Sequence, residues 1–272
     1  MRSRKARPDY RFRMTRVGVE TVRFLDELAA NATAATTVQL LDGWLLRAAP
    51  EYPFRRSNST LPHGGDGFGI ETRIGMVEDF YRHRELPVRF QMSPAAVPDG
   101  LDDVLEMHGY QIEEPTLVLV AETARVVERT RRDDAPDVTV GEGIDEYWAA
   151  EYASAYGDDD VGRRRLRAYA HLLQRLAPTI GTAMLPVDET PGAIGLGVLE
   201  RDWAGVYAMG TRREARRRGA ATTVVHALAC WAERHAAARM YLQVEAANDG
   251  ARQLYTRAGF EIAYRYHYRT NS

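Results

Sequence analysis

Residues 206–221 constrain this chain more than any other stretch. They read Val206-Tyr207-Ala208-Met209-Gly210-Thr211, then four residues, then Arg216-Arg217-Arg218-Gly219-Ala220-Ala221. The first part is a short apolar run without a helical period. The last part is a basic turn of small residues. Val224, Leu228 and Trp231 then fall on one face of a periodic segment. That order predicts strand, loop and helix N-terminus. Unpaired N–H groups at a helix start bind anions, and the helix dipole adds to the attraction. Gly219 and Ala220 leave room for close approach, and three arginines supply charge. The turn therefore reads as a pyrophosphate site. The same Arg-x-x-Gly-x-Ala spacing also suits a plain helix cap flanked by solvated arginines.

Downstream come a strand at 240–244, then Asn248, Ala251, Leu254-Tyr255 and Gly259-Phe260. Together with the basic turn, this ordered set resembles the GNAT superfamily, the acetyl-CoA-dependent N-acetyltransferases, over residues 138–268. Residues 36–124 read as strands and helices in a related order: strands at 43–47 and 55–59, a helix at 71–84, a strand at 88–92, a helix ending at Gly109, and a strand at 116–120. Gly109-Tyr110 sits where Gly259-Phe260 sits later. The chain thus resembles tandem GNAT proteins. The resemblance implies an α/β (α+β) fold of two tandem GNAT-like domains, each a mixed, mostly antiparallel sheet flanked by helices. The expected division is an N-terminal arm and helix (1–35), a degenerate copy (36–124), a charged linker (125–137) and a catalytic copy (138–272). The glycines between 64 and 69 carry Asp66 and no arginine. A carboxylate there repels a pyrophosphate, so the first copy is expected not to bind acetyl-CoA.

Site residues follow from the resemblance. The strands at 203–211 and 240–244 are the pair that splays around the pantetheine arm, with backbone at Met209 and Thr211 pairing with it. Arg216, Arg217, Arg218, Gly219, Ala220 and Ala221 hold the pyrophosphate, with the Thr222 hydroxyl beside them. Asn248 caps the following helix and lies by the cofactor arm. Tyr255 matches the tyrosine that protonates the departing thiolate; a phenol of ordinary pKa about 10 is a weak acid that must be well positioned. A packing role for Tyr255 is the alternative. The family's usual glutamate position falls on Gly205, which cannot serve. Glu200, Asp202 and Glu245 remain, and Glu245 ends the second splayed strand nearest the acetyl group; a water chain would also do. For the acceptor, Asp158, Asp159 and Asp160 could attract a cationic amine or simply form a solvated turn. Trp148, Tyr152 and Tyr156 share a helix face, which suits either core or ligand wall.

Composition bounds the partners. A formal net charge of −2 over 272 residues gives no footprint for a polyanion. The arginine-rich segment 1–16 reads as a solvated terminus rather than a nucleic-acid arm. One cysteine, Cys230, excludes an internal disulfide. His171, His226, His235 and His267 show no metal-ligand spacing, so no metal is expected. No long apolar run suggests a membrane span, and no signal peptide is visible. The expected protein is a cytoplasmic acetyl-CoA-dependent enzyme acting on a small-molecule amine, with a homodimer left open. A peptide or protein acceptor, and a non-catalytic acyl-CoA sensor, are the alternatives.

Overall fold

The computed structural model describes residues 17–52, 54–187 and 190–271. The arginine-rich segment 1–16 lies outside them. The first helix, α1 (Val19–Asn31), buries Val22, Leu25 and Leu28 along one stripe. The first half follows as β1 (Thr37–Leu41), β2 (Trp44–Ala48), β3 (Thr60–Pro62), α2 (Ile70–Arg82), β4 (Val88–Met92), α3 (Leu101–Met107) and β5 (Gln111–Glu122). After α4 (Thr123–Thr130), the second half runs β6 (Val140–Glu142), α5 (Glu146–Tyr156), α6 (Asp160–Leu173), β7 (Thr179–Val187), β8 (Thr190–Glu200), β9 (Trp203–Thr211), α7 (Ala220–Arg234), β10 (Arg239–Glu245), α8 (Asp249–Arg257) and β11 (Glu261–Asn271).

The strands form one sheet of eleven, in the order β1-β2-β3-β4-β11-β5-β10-β9-β8-β7-β6. Two sheets are thereby fused into one, and the last strand of each half pairs within the other. β5 lies antiparallel between β10 and β11, with Leu119 opposite Leu242 on one side and Ile262 on the other. β11 in turn pairs antiparallel with β4. The halves are related in detail. Both contain a parallel pair, β3 with β4 and β9 with β10. Both end their last helix at a left-handed glycine, Gly109 at φ 84° and Gly259 at φ 100°. The next amide closes the same 6→1 turn in each: Tyr110 N–H to Leu105 O and Phe260 N–H to Tyr255 O, both 3.0 Å.

Helices cover both faces. α7 packs Val224, Leu228 and Trp231 into the largest core cluster, with residues of β5, β9, β10 and β11. α5 and α6 build a second core around Trp148, Tyr152 and Tyr169. Buried Asp26 of α1 clips both halves together: it accepts from Tyr264 Oη at 2.6 Å and lies 3.1 Å from His63 Nε2.

Three sequence expectations change. The strand at 55–59 is instead a 3₁₀ turn (Arg55–Ser57) followed by β3. Asn58 causes this: its side chain accepts from Ala49 N–H at 2.7 Å and donates to the Tyr52 and Phe54 carbonyls. Such local bonds compete with a strand ladder. The linker at 125–137 begins as α4, because Val126 and Thr130 are buried beneath its charged face. β1 was not anticipated; its exposed Val38 and Leu40 give no inward alternation to read.

A shared central strand makes one cooperative unit. Leu119→Ala, at a side chain 1% exposed, is expected to cost about 2–5 kcal/mol. Calorimetry should show one transition moved to lower temperature. Two separate transitions for the halves would contradict the shared sheet.

Candidate functional site

The parallel pairing of β9 and β10 runs from Trp203–Arg239 to Val206–Leu242 and then stops. The cause is a bulge. Ala208 takes φ 48°, and the register against β8 shifts between Ile194 and Leu196. A bulged strand bends and twists away from its neighbour. A cavity of about 280 Å³ opens beside the gap. Tyr207, Ala208 and Met209 line it from β9, Val244 and Glu245 from β10, and Asn248 and Tyr255 from the α8 region.

β9 leads into the basic turn. Arg217 at φ 62° and Gly219 at φ 85° are both left-handed, and such alternation turns successive N–H groups into an anion-binding concavity. Among the described residues, Ala220, Ala221 and Thr222 donate to no backbone acceptor; Thr223 is the first to do so, to Gly219 O at 3.1 Å. Arg216 Nε donates to Thr211 O at 3.2 Å, and both residues line an open pocket of about 300 Å³. The Arg132 guanidinium lies where a Cβ on Gly219 would project. These features fit a diphosphate. In the first half a carboxylate already sits on the loop that leads into the corresponding helix. The Asp42 carboxylate accepts from Gly67 N–H at 3.3 Å and Phe68 N–H at 3.2 Å, just ahead of α2.

Tyr255 is buried against Phe260, ring centroids 6.0 Å apart. Burial, and secondarily Tyr156, pushes its phenol well above its ordinary value, so it keeps its proton. Asn248 is the cap expected of it, its Oδ1 accepting from Ala251 N–H at 3.1 Å, and it also lines the cavity. Tyr152 stacks on Trp148 with centroids 5.4 Å apart, so this face serves as both core and cavity wall. Tyr156 donates to Met209 O at 2.5 Å. That bond engages a backbone group expected to face the pantetheine arm.

The carboxylates fall out differently from expectation. Asp158 and Asp159 do not line the cavity. Asp159 caps α6, accepting from Gly162 N–H at 2.6 Å, so its lone pairs serve the helix start. Glu200 is held by Asn31 Nδ2 at 3.1 Å, and neither it nor Asp202 reaches the lining. The space beside Gly205 is filled by the Tyr207 ring and the Tyr241 hydroxyl, joined at 3.0 Å. Glu245 does line the cavity, and it has a partner that the sequence did not reveal. Glu114, at φ 49° on β5, lies within hydrogen-bonding reach of Glu245. Burial first, then the bond to Glu245, pushes the Glu114 carboxyl up to about 7, against the pull of Arg55. Arg55 Nη1 donates to Glu114 Oε1 at 2.9 Å.

The first half also closes the cavity. Phe54 packs on Tyr169 of α6 with centroids 4.6 Å apart, and Arg165 Nε donates to Glu51 O at 2.6 Å. Phe54 and Arg56 join the lining this way. Neither could be placed there from its local pattern.

Residues 20–269 match the family model described as "Probable histone acetyltransferase Rv0428c C-terminal". The chain belongs to that family, within the GNAT acetyltransferases. Solved structures carry the same fold. A GCN5-related N-acetyltransferase from Kribbella flavida is similar with a TM-score of 0.64 at 15% identity, covering 94% of this chain and 96% of that one. A tandem GNAT protein from the clavulanic acid biosynthesis pathway is similar with a TM-score of 0.64 at 12% identity, covering 91% and 87%. A conserved protein of unknown function from Staphylococcus epidermidis gives 0.62 at 15% identity, covering 88% and 95%. Among curated proteins none matches. The protein is thus a GNAT N-acetyltransferase, and the family implies acetyl-CoA as its co-substrate.

The left-handed turn of this GNAT chain can be tested directly. Gly219→Ala is expected to lower stability by roughly 1–2 kcal/mol, the cost of left-handed backbone for a residue with a Cβ. Adding Arg132→Ala should return whatever part comes from the displaced guanidinium. Urea melts of both variants measure this; an unchanged midpoint in Gly219→Ala would remove the turn geometry.

Proposed function

We propose that the protein moves an acetyl group from acetyl-CoA to the amine of a small molecule, by direct attack of the amine on the thioester. The observation that carries this reading is one cavity at the β9–β10 gap. It is lined by a proton-holding phenol, Tyr255, and by Glu245, one of a pair of carboxyls. Acetyl-CoA supplies the activated acetyl group. The free amides after Gly219, with Arg216, Arg217 and Arg218 nearby, bind its diphosphate. The end of β9 around Met209 and Thr211, which has no strand partner on its β10 side, receives its amide-bearing arm, with Tyr156 giving up the Met209 carbonyl. The second half does this rather than the first, because the Asp42 carboxylate is bound to the loop that leads into the first half's helix, where it would repel a diphosphate.

Glu245 and Glu114 take the proton that the attacking amine must lose. Tyr255 Oη gives its proton to the leaving sulfur. A small acceptor is favoured because the first half walls the cavity through Phe54 and Arg56. The matched family's description names histone acetylation, so a lysine peptide is the second reading. A thiol-release screen of pooled small amines beside a histone-tail peptide separates them; turnover of the peptide alone would overturn the small-molecule reading. We place the protein in the cytoplasm; among the described residues no helix is long and apolar enough to cross a membrane.

Two variants test the roles. Tyr255→Phe removes a group needed only as charge develops on sulfur, so kcat should fall by about 10²–10⁴-fold with acetyl-CoA affinity kept. Wild-type kcat, where chemistry limits the rate, would reduce Tyr255 to packing. The carboxyl pair predicts the pH profile. The base form is needed and exists above the pKa, so kcat/KM should fall as pH drops through about 7. In Glu114→Gln the limb at that pH should vanish or move. An identical limb in the variant would assign it to another group.

A further inference from the structure

Arg56 stands out among the charged groups of the cavity. It lines the wall contributed by the first half, in the same cavity as Glu245 at the end of β10. Among the described residues it makes no hydrogen bond and no ion pair. Its neighbours do. Arg55 is held by Glu113 and Glu114 at 2.9 Å each, Arg212 by Glu151 at 2.5 Å, and Arg47 by Ala30 O at 3.3 Å. Glu114 lies within electrostatic reach of Arg56 but is taken by Arg55 and Glu245. Around Arg56 are the phenols of Tyr169, Tyr207, Tyr266 and Tyr268, which are neutral at working pH. A guanidinium keeps its charge throughout that range. An enclosed cation without a counter-ion is costly unless something pairs with it.

We propose that Arg56 binds a carboxylate on the acceptor, so that the substrates of this enzyme are amino carboxylates held amine-first toward Glu245 and Tyr255. The inference rests on the acetyltransferase reading above and narrows its acceptor class. The cavity then offers a cation to the carboxylate and a carboxyl to the amine of one small molecule. The planar fork of the guanidinium suits two parallel bonds to a carboxylate. A neutral amine of the same shape leaves that fork unpaired.

The test uses the full chain with α-amino acids and ω-amino carboxylates of increasing length, each beside its own carboxamide. Thiol release gives kcat/KM for every pair. The wild type should prefer carboxylate over carboxamide by about tenfold or more, the scale of a charge-assisted pair. In Arg56→Met that ratio should collapse toward one, chiefly through KM, and Arg56→Lys should recover part of it. Equal use of carboxamides by the wild type overturns the proposal even if the variants fail to fold. Should no compound turn over, calorimetry with the N-acetyl amino carboxylates decides: binding lost in Arg56→Met supports the anchor, and absent or unchanged binding overturns it. Acetyl-CoA binding, measured separately, keeps the two readings apart. A wild type that does not bind acetyl-CoA removes the acetyltransferase reading; one that binds it and ignores the carboxylate removes only Arg56.

Discussion

The backbone of β5 is satisfied from two sides by strands that lie far away in sequence. Its amides and carbonyls pair with β10 on one edge and β11 on the other. A buried backbone group without a partner is costly, so neither half can keep its inner strands without the other. Everything at the cavity inherits this constraint. Glu114 reaches Glu245 because β5 runs beside β10. Arg55 reaches Glu113 and Glu114 because the 3₁₀ turn is tied down by Asn58 and docked on α6. The first half is therefore a wall of the site, whatever it once bound itself.

The two halves show why a repeated fold need not keep a repeated site. Each presents a helix start after a parallel strand, and each helix start has amides to satisfy. In the second half they stay open behind left-handed Arg217 and Gly219. In the first, the first-turn amides are open too among the described residues, but Asp42 at the tip of the β1–β2 hairpin reaches across and accepts from Gly67 and Phe68 in the loop just ahead of them. The chain thus supplies its own anion, and Gly65 is required because a Cβ there would run into the Asp42 backbone. Asp66 had suggested exclusion by repulsion. Asp42 adds a second carboxylate beside that loop, from a different element.

Local pattern was enough for what is local. The basic turn, the cap at Asn248 and the Gly-aromatic stops before β5 and β11 each depend on a few neighbouring residues. Tyr255 could be assigned to the cavity because α8 and its cap fix its direction. Arg56, Glu114 and the exchange of β5 and β11 depend on pairings across more than a hundred residues, for which periodicity carries no signal. α4 was hidden for another reason. Its surface charges made it read as linker, while Val126 alone reported the buried face. The acidic run at 158–160 read equally as an attractor for amines or a solvated turn, and the local bonds are those of a helix start: Asp159 caps α6 and Asp160 pairs with Arg163.

Gly205 joins these threads. A glutamate side chain at this position of β9 would have no room, since Tyr207 and Tyr241 fill the space with a hydroxyl pair. In the proposed mechanism the amine's proton therefore leaves in another direction, to Glu245 and to Glu114 of β5, the latter a residue whose left-handed φ of 49° is costly outside glycine. That cost falls at the register shift against β11, just before β5 becomes paired on both sides from Thr116 onward. It turns Glu114 toward a second carboxyl and away from ordinary solvation. The same burial that raises its pKa makes it a better base near neutrality than a solvated glutamate, whose conjugate acid is too strong. On this argument, the exchanged strand took over the task that the β9 position gave up.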